Sequence, residues 1–109
     1  MQNEMKWMTQ LKKGLIELCC LNLLTSEQLY GYELARRLSV APGFDVSLGT
    51  VYPLLSRMRR EGLVESELEE SPQGPARRKY RLSQSGTTKL QAMNAHWENM
   101  YQYIESIRR

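Results

Sequence analysis

The sequence has no apolar run that approaches the roughly 18 residues of a membrane-spanning helix, which excludes a transmembrane protein. Lysines occur near the N-terminus, but a signal-peptide cleavage pattern is absent. We therefore expect a cytoplasmic protein. Internal repeats and low-complexity segments are also absent, and the length of 109 residues allows one small domain with a modest core.

Residues that bind metals or act as nucleophiles are scarce. The two cysteines, Cys19 and Cys20, are adjacent in an apolar run, and His96 is the single histidine. These residues cannot complete a zinc site within one chain, because such a site needs four ligands. We interpret the cysteines as small buried hydrophobic residues and His96 as a helix-surface residue. No acid pair or activated nucleophile is present, so we expect no enzyme activity, no metal and no cofactor.

Charge is unevenly distributed along the chain, although the formal net charge is only +3. Residues 61–70 carry five glutamates and no basic residue, whereas residues 71–89 carry five basic residues and no acid. If the two segments pair as strands, cross-strand ion pairs explain much of this pattern. The other interpretation is a basic surface that binds nucleic acid.

Hydrophobic periodicity predicts an ordered series of helices and strands. They are a helix at 3–24, a helix at 30–38, a helix between Ser47 and Gly62, strands at 63–70 and 77–83 around a loop at 71–76, and a helix from Ser83 almost to Arg109. This order is typical of a winged helix-turn-helix, so the predicted fold class is mainly α (α+β). We assign residues 1–83 to a DNA-binding domain, whose first helix also lies at a dimer interface, and residues 84–109 to a C-terminal dimerisation helix.

The third helix occupies the position of a recognition helix and contains two residues that weaken helices, Gly49 and Pro53. Pro53 cannot donate a hydrogen bond to the Gly49 carbonyl, and we interpret the two residues as a compensating pair that shapes the start of the helix. A tolerated kink without functional meaning is the alternative. Gly49 would also permit close approach to DNA, since a helix N-terminus in the major groove needs small groups there.

The predicted DNA contacts come from this helix and from the second strand of the wing. Hydroxyl groups on the helix would face the major groove, and Arg57 is either a groove contact or solvated surface. Basic wing residues would contact phosphates or the minor groove, which supplies affinity rather than sequence information. The predicted DNA-binding residues are Ser47, Gly49, Thr50, Tyr52, Arg57, Arg77, Arg78 and Lys79.

The last helix carries an apolar seam with alternating spacings of three and four residues. Its members, the predicted dimerisation residues, are Leu90, Met93, Trp97, Met100, Ile104 and Ile107. The rest of the chain is too small to cover this seam, and the first helix is apolar on nearly all sides from Leu15 to Leu24. A second copy of the chain would cover both surfaces, so we expect a homodimer. A seam folded onto its own domain is the alternative, and it would leave the C-terminal half exposed.

Trp97 allows two interpretations. A tryptophan at a seam position is usually a packing residue. Two indoles that meet near a dimer axis, surrounded by adaptable methionines such as Met8, could instead form a slot for a planar aromatic ligand.

Three segments resemble one family of bacterial transcriptional regulators. They are LYGYEL at Leu29–Leu34, SLGTVYPLLSRMRREGLVE at Ser47–Glu65, and RKYRLSQSG ending at Gly86. Together with the apolar first helix they make the chain similar to the PadR family over nearly its whole length. The single long helix after the wing resembles the short subfamily, which lacks a larger C-terminal domain.

The resemblance implies a dimeric repressor that binds a near-palindromic operator. Some short members also bind flat aromatic drugs at the dimer interface, between a tryptophan from each last helix, and Trp97 falls at that position. The resemblance further suggests two walls for this site, and the predicted ligand-binding residues are then Met8, Leu15, Trp97 and Tyr101. The chain departs from the family at Lys79, where the first of two wing tyrosines often stands.

The function that we predict is a dimeric DNA-binding transcriptional regulator, a repressor released by a small aromatic ligand. The alternative is a winged-helix protein-interaction module without specific DNA binding, favoured if Glu65, Glu67 and Glu69 consume the basic residues of the wing. The expected partners are double-stranded DNA, a second copy of the chain and a planar aromatic molecule, with no membrane.

Overall fold

The computed structural model describes residues 2–108, with side chains from residue 6 onward. The elements within this range are α1 (Gln2–Leu23), β1 (Leu29–Tyr30), α2 (Gly31–Leu38), α3 (Leu48–Arg60), β2 (Val64–Ser71), β3 (Gly74–Leu82) and α4 (Gln84–Ile107). Helices α2 and α3 form the helix-turn-helix, β2 and β3 form the wing, and α4 follows the wing. The predicted winged helix-turn-helix with a long last helix is therefore confirmed. Arg109 lies outside the described residues.

One apolar core joins the three N-terminal helices to the base of the wing. Leu21 of α1, Leu34 of α2 and Leu55 of α3 are completely buried in it. From α4 only the first turns contribute, through Leu90, which is 5% exposed, and the partly buried Met93. Leu90 thus belongs to the core of its own chain, which differs from its assignment to an exposed dimer seam.

Helix α3 runs through Pro53 without interruption and ends at a glycine, as predicted. Gly62 has a positive φ of 76°, a conformation that glycine adopts without strain. Its N–H donates to the Arg59 carbonyl at 3.0 Å, and the N–H of Leu63 donates to the Met58 carbonyl at 2.9 Å. This pair of hydrogen bonds is the Schellman motif, which closes the helix and directs the chain into β2.

Helix α4 begins against this same turn. The Ser83 side chain accepts a hydrogen bond from the Gly86 N–H at 3.0 Å, which confirms the predicted N-cap. The Ser83 N–H donates to the Leu63 carbonyl at 3.0 Å. A Cβ added to Gly86 would lie 1.9 Å from that same carbonyl oxygen, so only glycine fits at this crossing.

The sheet contains a strand that the sequence analysis missed. Its order is β1-β3-β2, with antiparallel neighbours, and β1 pairs Leu29 with Tyr80 and Tyr30 with Lys79. The predicted helix at 30–38 therefore starts one residue too early, because Tyr30 is in the strand and the helix begins at Gly31. A strand of two residues is too short to produce an alternating pattern.

The loop predicted at residues 71–76 is shorter in the structure. Only Pro72 and Gln73 form the turn, since β2 continues to Ser71 and β3 starts at Gly74. Pro75 therefore lies inside a strand. Because β1 pairs only with the other end of β3, this end of β3 is an edge, and edge strands tolerate proline.

We expect Gly86→Ala to destabilise the protein, because the new methyl group would overlap the Leu63 carbonyl and force α4 away from the wing. Misfits of this kind cost about 1–3 kcal/mol of unfolding free energy. Urea denaturation at fixed protein concentration measures the change. Gly49→Ala is the matched control, because its Cβ would meet only the Ser47 Oγ, at 3.6 Å, and should cost nothing. Equal stability of the two variants would contradict this account of the α4 crossing.

Candidate nucleic-acid interface

The N-terminal half of α3 presents small and hydroxyl-bearing residues to solvent. The exposed residues here include Ser47, Gly49, Thr50 and Tyr52. Ser47 is the N-cap residue, as expected, but its hydroxyl makes no capping hydrogen bond and lies 3.4 Å from the Thr50 hydroxyl. The Ser47 carbonyl accepts the first helical hydrogen bonds instead. Both hydroxyls therefore remain available to a ligand.

The same face continues towards the C-terminus of α3 through residues that the sequence analysis did not select. Helical spacing places Pro53, Ser56 and Arg60 on the side away from the buried Leu55. Arg60 is exposed, and its Nη1 donates to the Ser56 Oγ at 3.3 Å. The three- and four-residue spacing from Gly49 could have identified these residues. The exposed face is therefore longer, and more basic, than predicted.

Tyr52 lies at the edge of this face, against the start of α2. A Cβ at Gly31 would lie 2.4 Å from Cε1 of the Tyr52 ring, so glycine makes room for the ring. The ring lines a crevice of about 420 Å³ between α3 and the wing. The other aromatic residues that line this crevice are Tyr30, Tyr32 and Tyr80.

Three of the four glutamates of β2 have partners other than the three predicted DNA-binding residues of the wing. Arg81 forms ion pairs with two of them. Its Nε lies 3.7 Å from the Glu65 carboxylate, and its Nη1 lies 3.2 Å from the Glu67 carboxylate. The Glu69 carboxylate accepts a hydrogen bond from the Tyr30 hydroxyl at 2.8 Å. The cross-strand ion pairs of the wing are therefore concentrated on one arginine.

The distal part of the wing keeps its positive charge. Within residues 6–108, no ion pair involves Arg77, Arg78 or Lys79. Arg77 and Arg78 are exposed and Lys79 is half-buried. Arg78 donates from Nη1 to the Ser66 hydroxyl at 3.1 Å, a neutral partner that leaves its charge uncompensated. The wing thus carries three basic residues without an acidic partner among the described residues, and two of them, Arg77 and Arg78, line the crevice that reaches Tyr52 of α3.

Arg57, which was predicted either to contact the groove or to be solvated, is instead engaged within the chain. Its Nη2 lies 3.2 Å from the Glu17 carboxylate of α1, and its Nη1 lies 3.1 Å from Glu61. The charge of Glu17 is the main cause that raises the pKa of Arg57 above its ordinary value. Arg57 therefore joins the recognition helix to α1.

An apolar groove of about 630 Å³ lies on the opposite side of α1, between α1, α2 and α4. Leu15 and Trp97, two of the predicted ligand-binding residues, both line it. The Tyr101 ring lies 6.2 Å from the Trp97 ring, at an angle of 36°. Met8 does not line the groove and lies beside Gly43, in the turn between α2 and α3.

The C-terminal half of the apolar seam on α4 is uncovered in the single chain. The exposed fractions of its side chains are 42% for Trp97, 56% for Met100, 44% for Ile104 and 55% for Ile107. Hydrophobic residues at this spacing form a continuous stripe along the helix. The free part of the predicted seam therefore starts at Trp97.

Neither cysteine has the lowered thiol pKa of a reactive cysteine. Burial raises the pKa of Cys20 to about 12 and also raises the pKa of the half-buried Cys19. Both thiols are therefore protonated at neutral pH, and the thiolate is the reactive form.

The predicted surface position of His96 is confirmed. No group of three His, Cys, Asp or Glu residues that could hold a metal ion occurs in the described part of the chain. No helix in that part is long and apolar enough to cross a membrane.

Comparisons with known proteins identify relatives that match most of the chain. The Transcriptional regulator PadR-like family matches residues 20–92. Transcriptional regulator Rv3488 of Mycobacterium tuberculosis is 34% identical over 83 residues, which span 76% of each chain. The solved structure of a PadR-like transcriptional regulator from Bacillus cereus is 35% identical, with a TM-score of 0.80, and the match covers 90% of this chain and 95% of that one.

A solved structure with lower sequence identity has the same fold as this chain. A PadR family transcriptional regulator from Eggerthella lenta is 24% identical and has a TM-score of 0.86, with coverage of 97% of this chain and 92% of that one. The family and its solved members are transcriptional regulators and not enzymes, as the sequence analysis expected. The chain therefore belongs to the PadR-like family of DNA-binding transcriptional regulators.

Proposed function

We propose that the protein is a homodimeric repressor that binds a near-palindromic operator in the cytoplasm. The observation that carries this proposal is the unpaired positive charge on Arg77, Arg78 and Lys79. In a protein-interaction module that no longer bound DNA, the glutamates of β2 would neutralise these residues. Glu65 and Glu67 are instead engaged by Arg81, and Glu69 by the Tyr30 hydroxyl, so the wing charges are free to contact phosphates.

In this proposal the N-terminal half of α3 enters the major groove. The hydroxyls of Ser47, Thr50 and Tyr52 would face base edges and phosphates, where a helix N-terminus also favours an anion. Among the described residues, no packing contact requires a glycine at position 49, since an added Cβ would be in ordinary contact with one hydroxyl. Close approach of DNA to the backbone explains Gly49.

Two arginines have different roles in this arrangement. Arg60 would extend the DNA-facing surface, because it lies on the exposed side of α3 and has no acidic partner among the described residues. Arg57 would hold α3 against α1, because its guanidinium is shared between Glu17 and Glu61. It contributes to binding by orienting the recognition helix.

The wing charges should control affinity without controlling specificity. We expect Arg78→Ala or Lys79→Ala to weaken binding to operator and to unrelated DNA alike, and to reduce the slope of log affinity against log salt by about one for each lost phosphate contact. Fluorescence anisotropy across a salt series measures both quantities. Arg108→Ala is the control and should leave the slope unchanged, because Arg108 lies at the C-terminal end of α4 and is paired with Glu105. A variant that binds operator normally but loses discrimination would refute this division of roles.

Dimerisation would cover the exposed part of the seam on α4. A helix that leaves Trp97, Met100 and Ile104 half-exposed is unfavourable in water, because full burial of a large apolar side chain contributes about 1.5–3 kcal/mol and these side chains gain only part of it in the single chain. The apolar groove runs beside the same stretch of α4, and Leu15 of α1 faces it. A second copy of α4 supplies a matching apolar stripe, so we propose that the two chains pack through α4 and α1.

We expect Ile104→Glu to dissociate the dimer, because an unpaired carboxylate at the interface costs several kcal/mol, as an order of magnitude. Analytical ultracentrifugation and circular dichroism follow mass and folding together. Asn99→Glu places the same charge on the exposed polar face of α4 and should leave the dimer intact. A folded wild-type monomer at micromolar concentration would rule out the dimer.

A ligand at the dimer interface would release the operator. Trp97 lines the groove from α4, while Leu38, Ala41 and Phe44 line it from the end of α2 and the turn that leads to α3. A planar aromatic molecule against the indole would therefore touch the segment that connects the two helices of the DNA-binding motif. This contact supports a repressor that responds to such a ligand.

We expect a planar aromatic dye to quench the fluorescence of Trp97 with micromolar affinity, and Trp97→Ala to abolish this quenching while dimerisation and DNA binding persist. The measurement needs a Trp7→Phe background, since Trp7 also emits and is 60% exposed. Saturable binding that survives Trp97→Ala would place the ligand elsewhere. The absence of binding across a broad dye panel would mean that Trp97 is only a packing residue.

A further inference from the structure

Tyr30 lies beneath the positive charges of the wing, although its residue type and position gave no reason to select it as a DNA-binding residue. The guanidinium carbon of Arg77 is 4.3 Å from the centre of the Tyr30 ring, and the Nζ of Lys79 is 5.2 Å from it. Both distances are within the roughly 6 Å range of cation–π attraction. The contact depends on β1, since strand pairing places Tyr30 opposite Lys79.

The Tyr30 ring is itself held in place. Its hydroxyl donates to the Glu69 carboxylate, with distances of 2.8 Å and 3.2 Å to the two oxygens, and this hydrogen bond is the largest cause of a raised pKa for Tyr30. The Tyr32 ring stacks on it at 5.8 Å with an angle of 6°. Arg77 Nη1 also lies 3.5 Å from the Tyr32 hydroxyl. The two rings and the carboxylate thus form one connected group.

The hydrogen bond to Tyr30 also determines which residue Glu69 engages. Glu69 is the cross-strand partner of Arg77, a position from which a carboxylate ordinarily pairs with the facing arginine. Both of its oxygens are instead within hydrogen-bonding distance of the Tyr30 hydroxyl, and no ion pair to Arg77 forms within residues 6–108. Tyr30 therefore separates an acid from the base that faces it.

We propose that Tyr30 is a positioning residue for DNA binding: it orders Arg77 and Lys79 for contact with phosphates and keeps Glu69 from neutralising Arg77. The inference rests on the proposed binding of DNA by the wing. Ordering a long side chain before binding reduces the conformational entropy lost on binding, so affinity rises although no new contact is made. Tyr30 changes the number of charges that meet phosphates only through Glu69, which is free to pair with Arg77 when the hydrogen bond is lost.

This role has a signature in salt titrations. In the Glu69→Gln background, where no carboxylate faces Arg77, Tyr30→Leu should weaken operator binding about fivefold, as expected from the loss of exposed cation–π contacts, with no change in the salt slope. Arg77→Ala should instead reduce the slope by about one. In the Arg77→Ala/Lys79→Ala background, Tyr30→Leu should have no further effect, because the residues that it orders are gone. An equal loss of affinity in both backgrounds would mean a purely structural role and would overturn the inference.

A rescue experiment tests the role of Glu69. Tyr30→Phe keeps the ring but frees the carboxylate to pair with Arg77, so binding should weaken roughly twofold to fivefold, the range of an exposed ion pair. Tyr30→Phe/Glu69→Gln should restore wild-type affinity, since the glutamine is uncharged. Failure of this rescue, with Tyr30→Phe still weakened, would overturn the proposed separation of charges. The α2 cap is kept in every variant, because Glu33 bonds the main-chain N–H of residue 30 at 2.9 Å.

A measurement without DNA separates this inference from the proposed function. The side-chain protons of Arg77 should resonate upfield in NMR spectra of the free wild-type protein and of Tyr30→Phe/Glu69→Gln, because they lie over the aromatic ring, and should return to ordinary positions in Tyr30→Leu. Ordinary shifts in the wild type would overturn the inference while salt-dependent DNA binding still supported the proposed function. Upfield shifts together with an absence of DNA binding at any salt concentration would overturn the proposed function, and the positioning role with it.

Discussion

The arrangement of the protein depends on one carbonyl group, that of Leu63. The Schellman turn at Gly62 brings Leu63 to the point where α3 ends and β2 begins. Its carbonyl accepts the N–H of Ser83, the last residue before α4, and the missing side chain of Gly86 lets α4 cross directly over it. The hydroxyls of Ser83 and Ser85 both donate to the neighbouring Gly62 carbonyl. The recognition helix, both wing strands and α4 are therefore fixed relative to one another at a single turn.

The distribution of charge follows from the register of the wing. Once β2 and β3 pair, Arg81 lies within reach of both Glu65 and Glu67, near the base of the wing where the strands join the core. Two of the acids are thereby paired at the base, while Arg77, Arg78 and Lys79 remain without an ion pair farther along the wing. A formal net charge of +3 would suggest only weak attraction to DNA. The local arrangement pairs two of the acids with Arg81, so Arg77, Arg78 and Lys79 remain available to phosphates despite the low net charge.

Features specified by neighbouring residues could be predicted from the sequence. The stop at Gly62, the cap at Ser83 and the recognition helix each depend on a few consecutive residues, and all three are present. Features that depend on contacts between distant segments were missed. The strand β1 exists only because β3 offers an edge, and Arg57 turns inward only because Glu17 on another helix faces it. Periodicity indicated the apolar seam but not the point at which α4 leaves the core, and for this reason the predicted seam includes Leu90, which is buried in the core of its own chain.

Helix α1 contributes to both proposed activities of the protein, ligand binding and DNA binding. One side of it carries Leu15 and Leu18 into the apolar groove, next to Trp97. Another side carries Glu17 to Arg57 on the recognition helix, and this ion pair is only partly exposed, so solvent screens it less than a surface pair. The groove also reaches Ala41 and Phe44, in the turn before α3. Two separate sets of contacts thus connect the groove to the recognition helix. Release of DNA by a ligand requires that occupancy of one site change the geometry of the other, and such a change needs a continuous physical connection. In a chain of this size the same helix supplies that connection and the surface proposed for dimerisation.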